Sequence, residues 1–220
     1  MNKMVRTRDL FSCKTPYLKA FFEENEYPWL MLSKIGNYIM QLQKNEIEDY
    51  RFISDGVLVG EGVSIHESAV IIPPAIIGRG TEIRPGAFLR GNIVTGEGCA
   101  IGNSSELKNC ILLDRVQVPH YNYVGDSILG NRAHMGAGSI CSNLKSDGRE
   151  VIIHGDAEYE TGLRKVGAIL GDGADIGCGC VLNPGTVVGK NTSVYPLTSL
   201  RGVYPSDCIV KDNENIVKRK

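Results

Sequence analysis

Residues 71–90 read IIPPAIIGRGTEIRPGAFLR, and every sixth position of this stretch holds a large aliphatic residue. The spacing continues in both directions, where ten of eleven such positions are aliphatic. They are Ile53, Val59, Ile65, Ile71, Ile77, Ile83, Leu89, Thr95, Ile101, Leu107 and Leu113. The spacing returns later at Leu170, Ile176, Leu182, Val188, Val194 and Leu200. A helix repeats every 3.6 residues and a strand every two, so this period indicates a solenoid.

The repeats share a pattern of aliphatic, glycine, two variable positions, then a small residue, as at Val59-Gly60 and Ile77-Gly78. The pattern predicts a narrow triangular prism in which the aliphatic side chains point inward and glycine serves the turns. Three hexapeptides form one coil, and successive coils stack as parallel strands about 4.8 Å apart. The expected fold is an all-β solenoid, a parallel β-helix of hexapeptide repeats.

The two ends of the chain lack this repeat, so each is predicted to form a unit separate from the β-helix. Each coil buries its apolar face only against a neighbouring coil, so the end coils need covering. We expect residues 1–52 to form an N-terminal helical cap, with Thr15-Pro16 beginning one helix. A docking module for a partner is the alternative interpretation. The β-helix is expected over 53–210 and a C-terminal tail over 211–220.

The composition narrows the possible functions. A net charge of −1 argues against a nucleic-acid or membrane partner. A signal-peptide core and a long apolar span are both lacking in the sequence, which favours a cytoplasmic location. The seven cysteines lie mostly at repeat positions, such as Cys99, Cys110, Cys178 and Cys180. They are predicted to be small buried residues and not disulfide partners.

The repeat is interrupted at three places, and such irregularities tend to mark functional sites. It shifts by one residue between Leu113 and Val118, and again between Val124 and Leu129. It then stops, which predicts an inserted loop at about 144–166. A loop of this length in a solenoid is usually a lid, a binding loop or a subunit contact.

The spacing also places charged residues relative to one another. Arg90 and Lys108 are 18 residues apart and therefore stack on adjacent coils. Two stacked cations favour a phosphate or carboxylate beside them, since Arg binds such groups bidentately. The alternative is a pair of solvated cations, with Arg90 near Glu106. His120 falls on another face, so it can join the two cations only across a threefold interface, which predicts a homotrimer.

Three segments carry a resemblance to a known family. Residues 103–108, 120–126 and 136–143 resemble its asparagine…lysine, histidine…aspartate and glycine-alanine-glycine…asparagine segments. The family is the C-terminal acetyltransferase domain of the bacterial glucosamine-1-phosphate acetyltransferase/N-acetylglucosamine-1-phosphate uridyltransferase, among the hexapeptide-repeat acyltransferases. The similarity spans about 59–200 and implies a left-handed β-helix.

The resemblance also implies residue roles. His120 is the general base on an amine, for which an imidazole suits neutral pH. The residues implied to bind the sugar phosphate are Arg90, Lys108, Tyr123 and Asn143, with His134 in place of a substrate asparagine. Ala137 and Cys178 are implied to line the groove for acetyl-CoA. Arg201 is the nearest candidate for a contact with its charged groups. From the sequence of the insertion itself, we expect the charged residues Lys145, Arg149, Arg164 and Lys165 to contact either the substrate's phosphate or the phosphates of CoA.

Three functions follow from these observations. The first is a CoA-dependent acyltransferase acting on an amino-sugar phosphate, such as glucosamine-1-phosphate, or on a nucleotide sugar. The second is a non-catalytic β-helix that binds a sugar phosphate or serves in regulation or assembly. The third, a metal-dependent hydratase, needs three converging histidines. The four histidines form no close pair in sequence, so no metal is expected.

Overall fold

The computed structural model describes residues 5–45 and 47–219, and its core is a left-handed parallel β-helix. Four helices precede it: α1 (Thr7–Leu10), α2 (Pro16–Glu23), α3 (Trp29–Leu32) and α4 (Ile35–Leu42). A proline at its first turn begins α2, with Thr15 before it, as predicted. None of the helices in the described ranges is long and apolar enough to cross a membrane.

The strands of the β-helix form three faces. We number the faces in the order in which the chain passes through them from Ser64 onward. Face 1 contains β3 (Ser64–Ile65), β6 (Glu82–Ile83), β9 (Ala100–Asn103), β11 (Gln117–His120), β13 (His134–Met135), β18 (Asp175–Ile176), β21 (Ser193–Val194) and β24 (Cys208–Val210). Face 2 contains β4 (Val70–Ile72), β7 (Phe88–Arg90), β14 (Ile140–Cys141), β19 (Val181–Leu182) and β22 (Ser199–Leu200). Face 3 contains β2 (Val57–Gly60), β5 (Ala75–Ile77), β8 (Ile93–Thr95), β17 (Ala168–Leu170), β20 (Thr186–Val188) and β23 (Val203–Tyr204).

Two longer strands turn from face 2 onto face 3. They are β10 (Glu106–Leu112) and β12 (Tyr123–Leu129), which pair in parallel along their length. Inside the prism the aliphatic side chains at the repeat positions form one continuous core. Thr95 is the one polar residue at these repeat positions before Leu113. Its buried hydroxyl accepts a hydrogen bond from the Gly78 N–H at 2.8 Å.

The helical segment packs along the side of the prism. The outward side chains of face 3, Leu58, Ile76, Val94, Ile111 and Ile128, share one buried cluster with the apolar side chains of the helices. Helices form within 1–52 as predicted, but they cover the side of the prism along face 3 and not only its first coil. They add a second hydrophobic core parallel to the first. The Tyr17 hydroxyl fixes the docking by donating to the Thr95 carbonyl oxygen at 2.7 Å.

Three details of the sequence prediction are wrong. Ile53 lies on β1 (Tyr50–Ser54), which pairs antiparallel with β2 outside the coils, so its side chain is 46% exposed. The first shift of the repeat lies between Leu107 and Leu112, because Leu107 pairs with Leu89 but Leu112 pairs with Thr95. Cys178 is an exposed thiol at an edge of the prism and not a core residue.

The C-terminal residues also differ from the expected tail. Within 211–220, the strand β25 (Ile216–Lys218) pairs antiparallel with β24. The Tyr204 hydroxyl donates to the Asn213 side chain at 2.7 Å and holds the connecting turn. This hairpin covers the edge of β24, the last strand of face 1. Without it, the unpaired backbone groups of that strand could pair with other chains.

The insertion at 144–166 is a folded hairpin. Its strands β15 (Ile152–His154) and β16 (Glu158–Glu160) pair antiparallel. Val151 and Ile153 are buried in the same cluster as the helices. The Tyr159 ring also contacts the Trp29 ring, with their centroids 5.9 Å apart. The hairpin therefore packs against the helical segment and does not form an irregular surface loop.

The joint between the helices and the prism gives a stability prediction. Ile76→Ala should lower the free energy of unfolding by about 2–5 kcal/mol, because it opens a cavity between face 3 and the helices. Ile53→Ala is the matched control and should cost less than about 0.5 kcal/mol, since that side chain is exposed. Urea unfolding measures both values. Equal losses for the two variants would contradict the described packing.

Candidate functional site

The predicted stack of Arg90 and Lys108 forms at the edge between faces 2 and 3. Leu107 pairs with Leu89, so the residues that follow them, Lys108 and Arg90, lie on adjacent coils. Each cation faces a carboxylate. Arg90 Nη1 lies 2.6 Å from Glu106 Oε1, and Lys108 Nζ lies 3.0 Å from Asp126 Oδ1. The structure therefore contains the Arg90–Glu106 contact that was the alternative to an anion-binding stack. We call this edge, between faces 2 and 3, the Lys108 edge.

Asp126 is the centre of a hydrogen-bond network at the Lys108 edge. Its side chain is buried and accepts from Lys108 and from Asn109 Nδ2, the latter at 2.9 Å. Asn143 Nδ2 donates to the other carboxylate oxygen and lies 3.2 Å from the Tyr123 hydroxyl. The structure thus brings together three of the predicted residues, Lys108, Tyr123 and Asn143, around one carboxylate.

No role was predicted for Asp126 from the sequence. The available signal was its place, because it follows Gly125 at the shift of the repeat and within the segment that carries the resemblance. The backbone of Asp126 has a φ of 47°, in the left-handed region that Asp adopts more readily than most residues. At this corner the Asp126 carboxylate lies against the Lys108 ammonium.

Tyr123 completes the network with a neutral hydroxyl. Burial raises the pKa of its phenol, and the nearby carboxylates of Asp126 and Glu106 raise it further. A raised pKa keeps the phenol protonated far above neutral pH. Tyr123 can therefore donate a hydrogen bond to an anionic ligand.

The edge between faces 1 and 2 carries the predicted base. His120, Ala137 and Cys178 lie one above another on successive coils. The Gly138 N–H donates to the His120 carbonyl oxygen at 3.0 Å, and the Gly179 N–H donates to that of Ala137 at 2.9 Å. All three side chains are exposed, and we call this the His120 edge. As the spacing predicted, His120 lies at a different edge from Lys108.

The remaining predicted residues do not join one group. His134 lies on face 1, where its Nδ1 is 2.8 Å from Asp175 Oδ1. The backbone of Lys165 forms an isolated antiparallel β-bridge with that of Leu144, which follows Asn143 close to the Lys108 edge. Arg201 follows β22, whose Leu200 pairs with Leu182, and so lies further along the Lys108 edge. Within one chain, Lys165 and Arg201 are therefore separate from Ala137 and Cys178, with which the sequence analysis grouped them.

Metal ligation is the last property of the site. Among residues 5–45 and 47–219, no three His, Cys, Asp or Glu side chains lie close enough to hold a metal ion. His66 contacts Ser68, and His154 contacts Glu158, each through its own short-range partner. The four histidines thus lie apart from one another, three on the prism and His154 on the insertion.

Asp126 gives a testable consequence of the network. Asp126→Asn should lower the free energy of unfolding by about 1–3 kcal/mol, because it leaves the partly buried Lys108 ammonium and two amide donors without a carboxylate. Glu106→Gln should cost less, since the Arg90–Glu106 pair is largely exposed to solvent. Urea unfolding of the two variants compares them directly. A larger loss for Glu106→Gln would refute the central position of Asp126.

Comparison with known proteins supports the predicted resemblance. "Bifunctional protein GlmU" of Methanococcus vannielii is 31% identical over 225 residues, covering 100% of this chain and 53% of that protein. The "bifunctional sugar-1-phosphate nucleotidylyltransferase/acetyltransferase" of Sulfurisphaera tokodaii is 30% identical, covering 77% of this chain and 43% of that protein. This chain thus spans about half the length of the curated relatives it matches. Residues 71–160 also match the family model described as the GMPPB C-terminal domain.

A solved structure supports the fold. The hexapeptide transferase family protein from Anaplasma phagocytophilum is 20% identical, with a TM-score of 0.50, over 75% of this chain and 81% of that one. Together with the relatives, this similarity confirms the predicted resemblance to the acetyltransferase part of the GlmU proteins and to the hexapeptide-repeat acyltransferases.

Proposed function

Given that resemblance, we propose that this chain is a CoA-dependent acyltransferase that transfers an acetyl group to the amino group of a sugar phosphate or nucleotide sugar. The curated relatives support the reaction class, because one of them is named as an acetyltransferase acting beside a sugar-1-phosphate activity. The observation that carries the proposal is the column of His120, Ala137 and Cys178 at one exposed edge. Glucosamine-1-phosphate is the first substrate to examine.

The His120 edge fits an extended acyl donor. Ala137 and Cys178 have small side chains, and they stack with the regular spacing of the coils below His120. Among the described residues, the Ala137 N–H has no protein acceptor, so it is free to donate to a ligand. Acetyl-CoA supplies a thioester whose carbonyl oxygen becomes negative as an amine attacks. An N–H directed at that oxygen stabilises the developing charge.

In the proposed reaction, His120 takes the proton of the amine. The amine nitrogen forms the new C–N bond to the thioester carbon, the C–S bond breaks, and CoA leaves as the thiol. The proton lost by nitrogen passes to the imidazole and from there to the departing sulfur, so atoms and charge balance. The imidazole lies at the end of β11 and is exposed to solvent.

The sugar phosphate is assigned to the Lys108 edge. Lys108, Tyr123 and Asn143 supply three potential donors around Asp126, and Arg90 lies on the adjacent coil. The carboxylates of Asp126 and Glu106 hold the two cations in place before substrate binds, which reduces the entropy lost on binding. They also neutralise much of the charge, so these cations bind a phosphate more weakly than unpaired ones.

A complete site then needs two chains, because His120 and Lys108 lie at different edges of one prism. We propose a homotrimer in which the Lys108 edge of one chain meets the His120 edge of the next. Face 2, between these edges, carries exposed apolar side chains that such packing would bury, including Val70, Ile140 and Val181. Light scattering should then give a mass three times that of the 24.0 kDa chain.

One observation favours the second candidate, a non-catalytic β-helix that binds a ligand or serves in assembly. Both predicted phosphate-binding cations already have carboxylate partners, as in a structural ion-pair network. Turnover separates the candidates. A non-catalytic protein would bind a sugar phosphate, but it would release no CoA thiol from acetyl-CoA in the presence of glucosamine-1-phosphate.

Replacement of His120 tests the proposed reaction. His120→Ala should lower kcat by roughly 10²–10⁴-fold, because the amine then loses its general base. Affinity for the sugar phosphate should stay within about twofold, since the Lys108 edge is unchanged. His66→Ala is the matched control, an exposed histidine on face 1 that contacts Ser68. Unchanged turnover in His120→Ala would show that His120 is not the base.

A further inference from the structure

The third edge of the prism, where face 3 turns onto face 1, carries two stacked arginines. Arg115 follows β10 and Arg132 follows β12, each just before the next strand of face 1. The Arg132 N–H donates to the Asp114 carbonyl oxygen at 2.8 Å, so the two arginines occupy equivalent positions on adjacent coils, about 4.8 Å apart. We call this the Arg115 edge. It lies opposite face 2 and therefore outside the interface of the proposed homotrimer.

Both arginines have a backbone conformation that most residues avoid. The φ of Arg115 is 59° and that of Arg132 is 57°, in the left-handed region. On the other coils this position holds residue types that adopt a positive φ readily, namely Gly62, Gly80, Gly98, Gly173, Asn191 and Asp207. A long side chain costs stability here, and a cost of this kind is typical of positions where the side chain has a function.

The two guanidinium groups are not neutralised, although carboxylates lie at the same edge. In the part of the chain that the structure describes, neither arginine side chain forms an ion pair or a hydrogen bond. Asp114 accepts instead from the Glu97 N–H and from the Thr15 hydroxyl, each at 2.9 Å. Asp172 accepts from the Ser12 N–H at 2.8 Å. These carboxylates therefore organise the backbone and leave both arginines exposed to solvent and free to bind an anion.

A third cation comes from the segment that leads into α2. The Ser12 carbonyl oxygen accepts from Asn131 Nδ2 at 3.1 Å, and Thr15 reaches the adjacent coil through Asp114. These contacts hold Lys14, between Ser12 and Thr15, beside the two coils that carry the arginines. Within residues 5–45 and 47–219 its exposed side chain likewise has no carboxylate partner. The three cations line one groove of about 700 Å³.

Two buried polar atoms without partners lie at the same place. Among the described residues, Thr7 Oγ1 and Arg79 Nε are the buried side-chain polar atoms that lack a hydrogen-bond partner. Arg79 lines the groove of the three cations, and Thr7 lines an adjoining groove of about 680 Å³ together with Phe11 and Phe22. Lys14 lines both grooves. Buried polar atoms in proteins are almost always hydrogen-bonded, so these two indicate that a ligand supplies their partners.

We propose that the groove at the Arg115 edge binds a diphosphate group, at a site separate from the proposed acyltransferase site and independent of its reaction. The two stacked guanidinium groups each match one phosphoryl group, and Lys14 adds a point charge from the opposite wall. Arg79 adds less charge, since its Nη2 lies 3.0 Å from Asp49 Oδ2. The diphosphate belongs either to free pyrophosphate or to a nucleotide whose nucleoside occupies the adjoining groove beside Thr7.

The position of the site gives the ligand a structural effect. Lys14 belongs to the segment before α2, whereas Arg115 and Arg132 belong to the prism. A diphosphate held between them links the helical segment to the β-helix and raises the stability of the folded chain. Glu97 opposes this binding, because its exposed carboxylate lies in the same groove and repels an anion.

Calorimetric titration with inorganic pyrophosphate tests the site. Arg115→Gly/Arg132→Gly should weaken binding roughly 10-fold to 100-fold, the loss expected for charge-assisted hydrogen bonds. This variant should unfold at no lower temperature than the wild-type protein, because glycine suits the left-handed backbone. Arg51→Ala/Arg149→Ala is the matched control, which removes two exposed arginines outside the groove and should bind like the wild-type protein. Glu97→Gln should tighten binding roughly 2-fold to 10-fold, because it removes the opposing charge.

Titration with the nucleoside diphosphates ADP, GDP, CDP and UDP identifies the source of the diphosphate. If one of them binds tighter than pyrophosphate and Thr7→Val removes the difference, the ligand is a nucleotide; in every other case it is pyrophosphate. Equal binding of pyrophosphate by Arg115→Gly/Arg132→Gly and by the control, or no binding by the wild-type protein, would overturn the proposal. None of these titrations contains acetyl-CoA or a sugar phosphate, so their results hold whether or not the chain transfers an acetyl group.

Discussion

Parallel stacking of coils in register is the constraint on which the rest of this structure depends. Each strand satisfies its backbone groups only through the coils above and below, so equivalent positions of successive coils are fixed in columns. Residues distant in sequence thereby become neighbours along an edge, as with His120, Ala137 and Cys178. Any side chain placed at an edge position is presented to solvent on a rigid scaffold, which suits a binding site.

The loss of one residue at two adjacent corners creates the local chemistry of the Lys108 edge. Asn109 and Asp126 both adopt a positive φ where the coil is one residue shorter. Their side chains then meet, with Asn109 Nδ2 2.9 Å from Asp126 Oδ1. On the next coil, the same corner opens into the insertion after Asn143. A regular solenoid thus acquires a polar network and an inserted hairpin at the single edge where its repeat is interrupted.

Much of the fold could be predicted from the sequence, because a period of six specifies inward and outward positions directly. Ile53 was misplaced because the repeat cannot distinguish a coil from an antiparallel strand that happens to share its spacing. The first shift was misplaced because Leu112 and Leu113 are both buried, one inside the prism and one against the helices. The packing of the helices along face 3 was not predicted. It depends on a second apolar row, formed by the outward residues of that face, which the period of six does not mark.

The site was less predictable than the fold. The separation of 18 residues that placed Arg90 above Lys108 also relates Lys108 to Asp126, but it did not specify that this carboxylate would be buried against the ammonium. The carboxylate partners of both cations depend on side-chain directions at corners, which a repeat pattern does not specify. The insertion lacked periodicity altogether, so its fold as an antiparallel hairpin became visible only in the structure.

The central claim is that one site is built from the His120 edge of one chain and the Lys108 edge of its neighbour. Mixing subunits tests it most directly. His120→Ala and Lys108→Ala proteins, each inactive alone, are unfolded together and refolded as mixed assemblies, and acetyl transfer to glucosamine-1-phosphate is measured. Random assembly restores both residues at about a quarter of the shared sites, so about a quarter of wild-type activity should return. If no activity returns although mixed assemblies form, each site lies within one chain and the two edges do not form a shared site.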